Sequence, residues 1–138
     1  MSDAWEPRPV PDVTPETAEY WAAAADGDLL VGTCEACEAV FHYPRAHCPD
    51  CFSEAVSTTT AAGTARLYTF ASPERIEGWP DEHRPLIVAQ VELDEGPRLI
   101  TNVVDADPSA LSIGDRVAVR FVPTDRDDVA IPVFEPVD

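Results

Sequence analysis

The second half of the chain shows the continuous and alternating apolar runs that are typical of β-strands. Residues 86–93 are apolar almost throughout, which predicts a central strand, and 98–104 returns from it after a short turn. Residues 116–122 alternate, with Val117, Val119 and Phe121 on one face and a mixed face of Arg116, Ala118, Arg120 and Val122 on the other. With two further strands at 65–71 and 129–135, the pattern predicts a small five-stranded barrel of the OB type.

The first half of the chain predicts one helix and a few short strands. Thr14 followed by Pro15 is typical of a helix start, and we expect the helix to end near Ala25. Short runs with apolar residues predict strands at 29–33 and 40–45, and a threonine-rich run predicts one at 56–60. We therefore predict a mainly β protein with an N-terminal arm and helix at 1–28, a metal ribbon at 29–60 and the barrel at 61–138.

The cysteines of the chain form two Cys-x2-Cys pairs that are ten residues apart. This pattern predicts a closed, tetrahedral structural zinc site, since each pair can direct two thiolates to one point. Iron is the main alternative, because the same four-sulfur geometry suits both metals. Two disulfides are the third alternative, but no secretory signal precedes the cysteines. The predicted ligands are Cys34, Cys37, Cys48 and Cys51, which leaves His42 and His47 as bystanders.

The charge of the chain is strongly acidic and contains no lysine. Asp and Glu outnumber the basic residues 26 to 9, and every basic residue is an arginine. Scattered acids repel one another in a compact protein, and about 1 M salt removes most of that repulsion by shortening the Debye length to about 3 Å. The composition therefore resembles that of cytoplasmic proteins from salt-accumulating halophiles, and a haloarchaeal source is the interpretation we favour.

The sequence also predicts a cytoplasmic protein. No apolar run approaches the roughly 20 residues that a membrane-spanning helix needs. The first residues lack the basic and apolar segments of a signal peptide.

The order of motifs along the chain resembles that of a known family. The helix carries Tyr20 and Trp21, and Gly-Asp-Leu-Leu-Val-Gly-Thr leads into Cys34-Glu-Ala-Cys37. Phe-His-Tyr-Pro-Arg lies between the cysteine pairs, and Ile-Gly-Asp-Arg-Val and Ile-Pro-Val-Phe follow in the barrel. From about residue 14 to the end, this order resembles the zinc-ribbon/OB-fold family catalogued as domain of unknown function thirty-five.

The resemblance implies a rubredoxin-like zinc ribbon, an OB-fold and a role without catalysis. Family members resemble accessory or scaffold subunits of thiolase-fold acyl-CoA enzymes. In archaea the resemblance points to acetoacetyl-CoA thiolase and hydroxymethylglutaryl-CoA (HMG-CoA) synthase, which the small subunit bridges while it helps to hold the CoA arm. The family often has Pro-Pro-Arg where this chain has Tyr43-Pro44-Arg45, a difference that leaves the arginine in place.

Two sets of residues are the candidate contacts for this role. Arg45 is the candidate for the CoA phosphates, although pairing with Glu35 or Glu38 is an equally good interpretation. Bulky aromatics are candidates for the walls of an acyl-CoA groove, and an apolar helix face on so acidic a chain is a candidate for docking. The CoA-binding set is Arg45, Phe41, Tyr43 and Trp79, and the docking set is Tyr20 and Trp21.

The alternative function is binding of single-stranded nucleic acid, which many OB-folds perform. Such binding needs a basic track along the phosphates together with aromatic side chains that stack on bases. The formal net charge of −17 and the dispersed arginines make this function the weaker hypothesis. No catalytic motif is apparent, and a zinc ion held by four thiolates has no open position for substrate.

Overall fold

The structure is a computed structural model, and it describes residues 5–74 and 77–137. Within these residues the chain forms one α-helix, α1 (Ala18–Ala25), and eight strands. The strands are β1 (Leu30–Cys34), β2 (Val40–Phe41), β3 (Val56–Thr60), β4 (Thr64–Ala71), β5 (Val88–Leu93), β6 (Arg98–Asn102), β7 (Arg116–Pro123) and β8 (Ala130–Pro136). Short 3₁₀ turns lie at Asp81–His83 and Pro108–Ala110. None of the described helices has the length and apolar character that crossing a membrane requires.

The turn before α1 begins at the predicted threonine. The N–H of Thr17 donates to Oγ1 of Thr14 at 3.3 Å, and the N–H of Thr14 donates to Oγ1 of Thr17 at 3.1 Å. This is the reciprocal pattern of a capping box, with threonine in the position that glutamate usually occupies. The pattern supports the first turn, although the regular helix starts later, at Ala18.

The ribbon is the three-stranded sheet of β1–β3, in the order β2-β1-β3, together with the two cysteine turns. All neighbouring strands are antiparallel, and β1 pairs along its whole length with β3. The strand predicted at 40–45 is shorter than expected and ends at Phe41. Gly32 in β1 is required here, because a Cβ atom at this position would overlap the ring of Phe41.

The barrel sheet is formed by the five strands β4–β8, in the order β6-β5-β4-β7-β8. A register shift between Leu67 and Thr69 interrupts the pairing of β4 with β5, and such irregularities bend a strand. The sheet curls until its two edges meet, where the N–H of Val104 donates to the carbonyl of Phe134 at 2.8 Å. The five predicted strands are therefore confirmed, and they form the half-barrel of an OB-fold.

One hydrophobic core connects the helix, the base of the ribbon and the barrel sheet. Tyr20 from α1 and Leu29–Val31 from the start of the ribbon lie in the same cluster as Leu67, Val91 and Phe134 from the barrel. The outer ribbon has only a small core of its own, made by Cys34, Phe41 and Cys48. The predicted division into three parts at residues 28/29 and 60/61 stays a prediction.

Candidate metal centre and adjoining surfaces

The two cysteine turns, or knuckles (34–39 and 48–53), have the same backbone hydrogen bonds. In each, the N–H of the leading cysteine, Cys34 or Cys48, donates to the carbonyl five residues later. Its carbonyl accepts from the N–H four residues later, and all four of these bonds are 2.9 Å long. The residue at that fourth position, Glu38 or Phe52, has a left-handed φ of 64°. Two unlike sequences thus form the same local structure, which directs each pair of sulfurs to a common point.

The four sulfurs have the spacing of a tetrahedral metal site. Sγ of Cys34 lies 3.6 Å from Sγ of Cys51, and Sγ of Cys37 lies 3.5 Å from Sγ of Cys48. All four sulfurs are within 4.8 Å of one another. Thiolates that bind one zinc ion at about 2.3 Å are about 3.8 Å apart, so these residues fit structural zinc. Such an ion would have four protein ligands and no position for water.

Backbone amides prepare the thiols for a metal. The N–H of Cys37 donates to Sγ of Cys34 at 3.4 Å, and this bond is the largest cause that lowers the pKa of the Cys34 thiol to about 7. The Ala39 amide lowers the pKa of Cys37, but the neighbouring Cys48 thiol and burial raise it further, to about 12 for the metal-free thiols. The amide hydrogen bond therefore favours the thiolate form of Cys34, which is the form that metals bind.

Neither nearby histidine belongs to the metal cluster. Nε2 of His47 lies 3.2 Å from a carboxylate oxygen of Glu54 at the surface. Nε2 of His42 is hydrogen-bonded to the hydroxyl of Tyr20 at 2.8 Å. Among the described residues, the cluster that can hold a metal consists of cysteines alone, as the sequence predicts.

Four aromatic side chains, which we call the aromatic junction, connect the helix to the ribbon. They are Tyr20, Trp21, His42 and Tyr43. The ring centroid of Tyr20 lies 5.0 Å from those of Trp21 and Tyr43, and the rings of His42 and Tyr43 are 4.0 Å apart. Burial, with a smaller effect from Arg45, lowers the pKa of His42 to about 4, and burial raises the pKa of Tyr20. Both side chains are therefore neutral at pH 7.

The two predicted docking residues differ in their exposure. Tyr20 is only 2% exposed and packs inside the core, while Trp21 is partly exposed. Tyr43, which was predicted as a CoA contact, is exposed beside Trp21. The part of the junction that reaches the surface is therefore Trp21 with Tyr43, and docking through these residues stays a prediction.

Arg45 lies in a wide groove between the start of α1 and the ribbon. The groove has a volume of about 770 Å³, and its walls include Glu16 and Glu19 as well as Arg45. Arg45 is exposed, and it forms no ion pair with Glu35, Glu38 or any other described carboxylate. Its guanidinium is therefore free to bind an anion, while the two glutamates lower the positive potential of the groove.

The other two predicted CoA contacts lie elsewhere. Phe41 is buried under Gly32 in the ribbon core. Trp79 packs edge to face on Trp5, with ring centroids 5.1 Å apart, and its Nε1–H donates to the carbonyl of His83 at 3.1 Å. The structure does not bring the four candidates into one pocket, and their role in CoA binding stays a prediction.

Arg8 is a buried residue that sequence reasoning missed. It is 7% exposed, and its backbone N–H donates to the carbonyl of Pro123, which fastens the N-terminal arm to the end of β7. Burial lowers the pKa of Arg8, and the charge of Glu6 opposes that change. An arginine in a proline-rich arm has no pattern that predicts burial, so the sequence offered no signal for it.

Exposed apolar residues mark part of the barrel surface. Ile100 on β6 is 73% exposed and lies between a pocket that includes Trp21 and Tyr43 and a shallow apolar groove that includes Phe70. Ile113, in the loop before β7, is 70% exposed. The two pockets that share Ile100 also include Trp21 and Tyr43 on one side and Phe70 on the other, and these residues extend the surface around Ile100.

Two family models match consecutive parts of the chain. The model described as "ChsH2, rubredoxin-like zinc ribbon domain" matches residues 21–57, which contain all four cysteines. The model described as "ChsH2, C-terminal OB-fold domain" matches residues 58–122. The order of ribbon and OB-fold is thus the order seen in the structure.

Curated relatives fall into two groups. A "Probable enoyl-CoA hydratase alpha subunit" from Thermomonospora curvata is 35% identical over 94% of this chain, which spans only 40% of that relative's length. Two proteins called "DUF35 domain-containing scaffold protein" match over most of their own length. The protein from Methanothermobacter thermautotrophicus is 32% identical over 77% of this chain and 81% of its own, and that from Methanocaldococcus jannaschii is 26% identical over 86% and 89%.

Solved structures agree with the matches to the family models and the curated relatives. A chain of the "Ltp2-ChsH2(DUF35) aldolase" superposes with a TM-score of 0.77 and 33% identity, over 91% of this chain and 98% of that chain. A DUF35-family protein of unknown function from Sulfolobus solfataricus has a TM-score of 0.64 at 10% identity, over 91% and 87%, and so supports the fold alone. The chain therefore belongs to the DUF35 family of ChsH2-type zinc-ribbon and OB-fold proteins.

Proposed function

We propose that this chain is a non-catalytic accessory subunit, which binds a separate enzyme that acts on acyl-CoA thioesters. The observation that carries the proposal is the 33% identity and TM-score of 0.77 to nearly the whole DUF35 chain of an aldolase named for two components. The names of the curated relatives, which are scaffold proteins and a hydratase subunit, support the same kind of role.

The chemistry of the described residues supports the absence of catalysis. The cysteines gather in a site whose four sulfurs would occupy every position of a tetrahedral metal, so the metal would be structural and not a Lewis acid. His42 is half-buried and bonded to Tyr20, and His47 faces Glu54. None of these groups pairs a nucleophile with a base, which is the arrangement that covalent catalysis needs.

The surface around Ile100 is the part of the barrel that we assign to the partner enzyme. A single exposed apolar residue needs no explanation, but here Ile100 continues into Trp21 and Tyr43 on one side and Phe70 on the other. Aromatic residues at the centre of an apolar patch are typical of interface hot spots. Tyr20 would support this surface from below, through its contacts with Trp21 and Tyr43.

The partner that we infer is a thiolase-fold enzyme, specifically acetoacetyl-CoA thiolase together with HMG-CoA synthase. The similarity to two scaffold proteins, which extends over most of their length, supports a bridging role of this kind. Arg45 would bind a phosphate of CoA, since it has no carboxylate partner among the described residues. Because Glu16 and Glu19 share the groove, further cations for the CoA phosphates would have to come from the partner.

The proposal is tested by affinity purification in molar KCl from a native extract. The bait proteins are the tagged chain, the variant Ile100→Asp and the control Ile113→Asp, whose isoleucine is similarly exposed in the loop before β7. We expect an acyl-CoA enzyme to copurify with the wild type and the control, and to be lost from Ile100→Asp. Recovery of RNA instead of an enzyme would favour the nucleic-acid alternative and contradict the proposal.

The role of Arg45 is tested with the recovered complex. Arg45→Ala should weaken the binding of CoA by about tenfold or more, because a charge-assisted hydrogen bond contributes about 1.5–3 kcal/mol. Unchanged CoA affinity in an intact complex would remove Arg45 from the site and leave the accessory role standing.

A further inference from the structure

A partly enclosed pocket lies where the N-terminal arm, the aromatic junction and the barrel meet. Its volume is about 230 Å³, below the range of pockets that hold drug-sized ligands. The arm contributes Arg8, the junction contributes all four of its side chains, and β6 contributes Asn102. The pocket is separate from the metal site and from the Arg45 groove.

Arg8 is held in this pocket from three directions. Its Nη1–H donates to Oδ1 of Asn102 at 2.7 Å, and its Nε–H donates to the carbonyl of Trp5 at 3.3 Å. Its guanidinium carbon lies 5.1 Å from the ring centre of Trp79, which is a cation–π distance. Asn102 is itself fixed, because its Nδ2–H donates to the carbonyl of Ile87 at 3.1 Å. The position of the guanidinium is therefore set by the chain.

Two donors in the pocket have no acceptor. Nη2 of Arg8 and Nε1 of Trp21 are both buried, and neither has a hydrogen-bond partner among the described residues. Arg8 also lacks a carboxylate partner in the described chain, although acids outnumber basic residues 26 to 9. The carboxylate of Glu6 lies instead 3.1 Å from Nη2 of Arg120.

A buried cation without a paired carboxylate is costly, and so is a buried donor without an acceptor. Both costs are removed by a ligand that brings negative charge and oxygen acceptors to Arg8 and Trp21. The remaining walls include Leu99, Ile131 and Pro132, which favour an apolar body behind the charged group. His42 does not compete for the anion as a cation, because it is neutral at pH 7.

We propose that this pocket binds a small organic carboxylate, with its carboxylate on Arg8 and Trp21 and its apolar or aromatic body against the barrel wall. The carboxylate comes either from a free acid or from the far end of a short acyl chain. A phosphate group suits the pocket less well, because its greater charge would meet a single cation. The inference does not depend on the identity of the partner enzyme, since all of these residues belong to this chain.

The test uses the zinc-loaded full chain and benzoate as the probe. The indole N–H signals of Trp21 and Trp79 are followed by ¹H–¹⁵N NMR at constant ionic strength, as benzoate replaces chloride. We expect the Trp21 signal to move as it gains an acceptor, and to move further than the signal of Trp79, whose Nε1–H is already bonded to His83 but whose ring lies beside Arg8. The neutral analogue benzamide should leave Trp21 unchanged. Succinyl-CoA, whose acyl chain ends in a carboxylate, is tested in parallel. This comparison decides whether the bound carboxylate comes from a free acid or from an acyl chain.

Calorimetry on variants assigns the contacts. We expect the wild type to bind benzoate with a dissociation constant at or below about 1 mM. Arg8→Gln should weaken binding about tenfold or more, and Trp21→Phe, which keeps a ring but removes the donor, about three- to tenfold. Arg126→Gln is the matched control, because it removes an equal charge from an exposed turn where Arg126 pairs with Asp128. This control should bind benzoate as the wild type does.

Three results would overturn the proposal. The first is the absence of benzoate binding by the folded wild type. The second is equal binding by wild type and Trp21→Phe, a variant that decides the matter even if Arg8→Gln does not fold. The third is a Trp21 shift that chloride produces as fully as benzoate, which would make the pocket a site for simple inorganic anions. Failure here leaves the accessory role intact, because copurification of an enzyme is measured separately from benzoate binding, even though Ile100 also lines the pocket.

Discussion

The ribbon and the barrel sheet are held together by different means. In the ribbon, β3 exposes four of its five residues, and the local core consists of Phe41 and two metal-binding cysteines with a few small neighbours. In the barrel, β5 alternates buried and half-buried residues along its length, and Phe134 is fully buried where the sheet edges meet. A region with so little apolar burial depends on its metal for stability, whereas the barrel depends on its core.

Cys48→Ser should have the largest effect, and only in the ribbon. Cys48 is a fully buried ligand, and structural zinc contributes about 10–16 kcal/mol of binding free energy in small zinc domains. We expect the variant to lose its zinc and the ordered NMR signals of both knuckles, while the barrel signals persist. Zinc content and amide spectra measure this outcome.

Ala36→Ser is the control for this experiment, since it adds a hydroxyl to an exposed position of the first knuckle without removing a ligand. If the barrel signals disappear together with those of the ribbon, the two regions are not separately stabilised and the comparison fails.

Phe134→Ala should destabilise the barrel by about 3–5 kcal/mol, because it removes a fully buried aromatic side chain. Denaturant unfolding measures the change, with Ile113→Ala as an exposed control that should stay within about 0.5 kcal/mol of the wild type. Folded Phe134→Ala protein should still bind its full zinc content. A loss of zinc from the folded variant would show that the barrel core also sets the geometry of the knuckles.

Acid should weaken the junction between the two regions through His42. The pKa of His42 is lowered from an ordinary 6.5 to about 4 in the folded chain, chiefly by burial. Between these two pH values, His42 therefore binds a proton in the unfolded chain but not in the folded chain. The resulting stability is complete above pH 6.5 and is lost progressively as the pH falls to about 4, by roughly 3 kcal/mol.

His42→Gln should remove this part of the pH dependence while keeping an acceptor for the Tyr20 hydroxyl. The free energy of unfolding of both proteins is measured with denaturant at pH 7 and pH 4.5. Any loss of zinc at the lower pH affects both proteins, so it cancels when the two changes are subtracted. Parallel pH profiles for the two proteins would contradict the assignment.

Gly32→Ala should cost the ribbon about 1–3 kcal/mol, because the added methyl group would overlap the ring of Phe41. Hydrogen exchange of the β1 and β3 amides measures this effect by region, and the barrel amides should keep their protection. Thr59→Ala, at an exposed position of β3, is the control and should leave exchange nearly unchanged.

Salt should have the smallest effect per site and should act on both regions alike. Close like charges destabilise by about 0.2–0.5 kcal/mol per pair, and the acids are scattered along the whole chain. We expect the stability of ribbon and barrel to rise together between 0.1 and 1 M KCl, as the Debye length falls from about 10 to about 3 Å. Unchanged melting across this range would argue against the halophilic interpretation.

Local patterns predicted much of the fold but little of the pocket. The hydrophobic runs predicted the five barrel strands, and the spacing of Cys34, Cys37, Cys48 and Cys51 predicted a metal cluster, because both signals are contained in short stretches of sequence. Arg8 and Asn102 are 94 residues apart and meet only in the folded chain. No periodicity marks such a pair, so its discovery required the three-dimensional structure.

The burial of Tyr20 and Phe41 shows a second limit of local patterns. Tyr20 was predicted to face a partner, and Phe41 was predicted to face a ligand. Each is buried against a residue elsewhere in the sequence, and no local sequence pattern connects the two. The hydroxyl of Tyr20 is hydrogen-bonded to His42, and the ring of Phe41 packs against Gly32, which has no side chain. An aromatic residue in a short element can face either way, and the surrounding packing decides.

The placement of the tryptophans has a practical consequence for optical spectroscopy. Trp5 and Trp79 are in edge-to-face contact beside the arm, Trp21 lies in the aromatic junction, and the ribbon sheet contains no tryptophan. Intrinsic fluorescence therefore reports on the arm and the junction, while an opening of the knuckles would pass almost unseen. A melting curve recorded by tryptophan emission alone would thus describe the arm and the junction and leave the metal-binding end unmeasured.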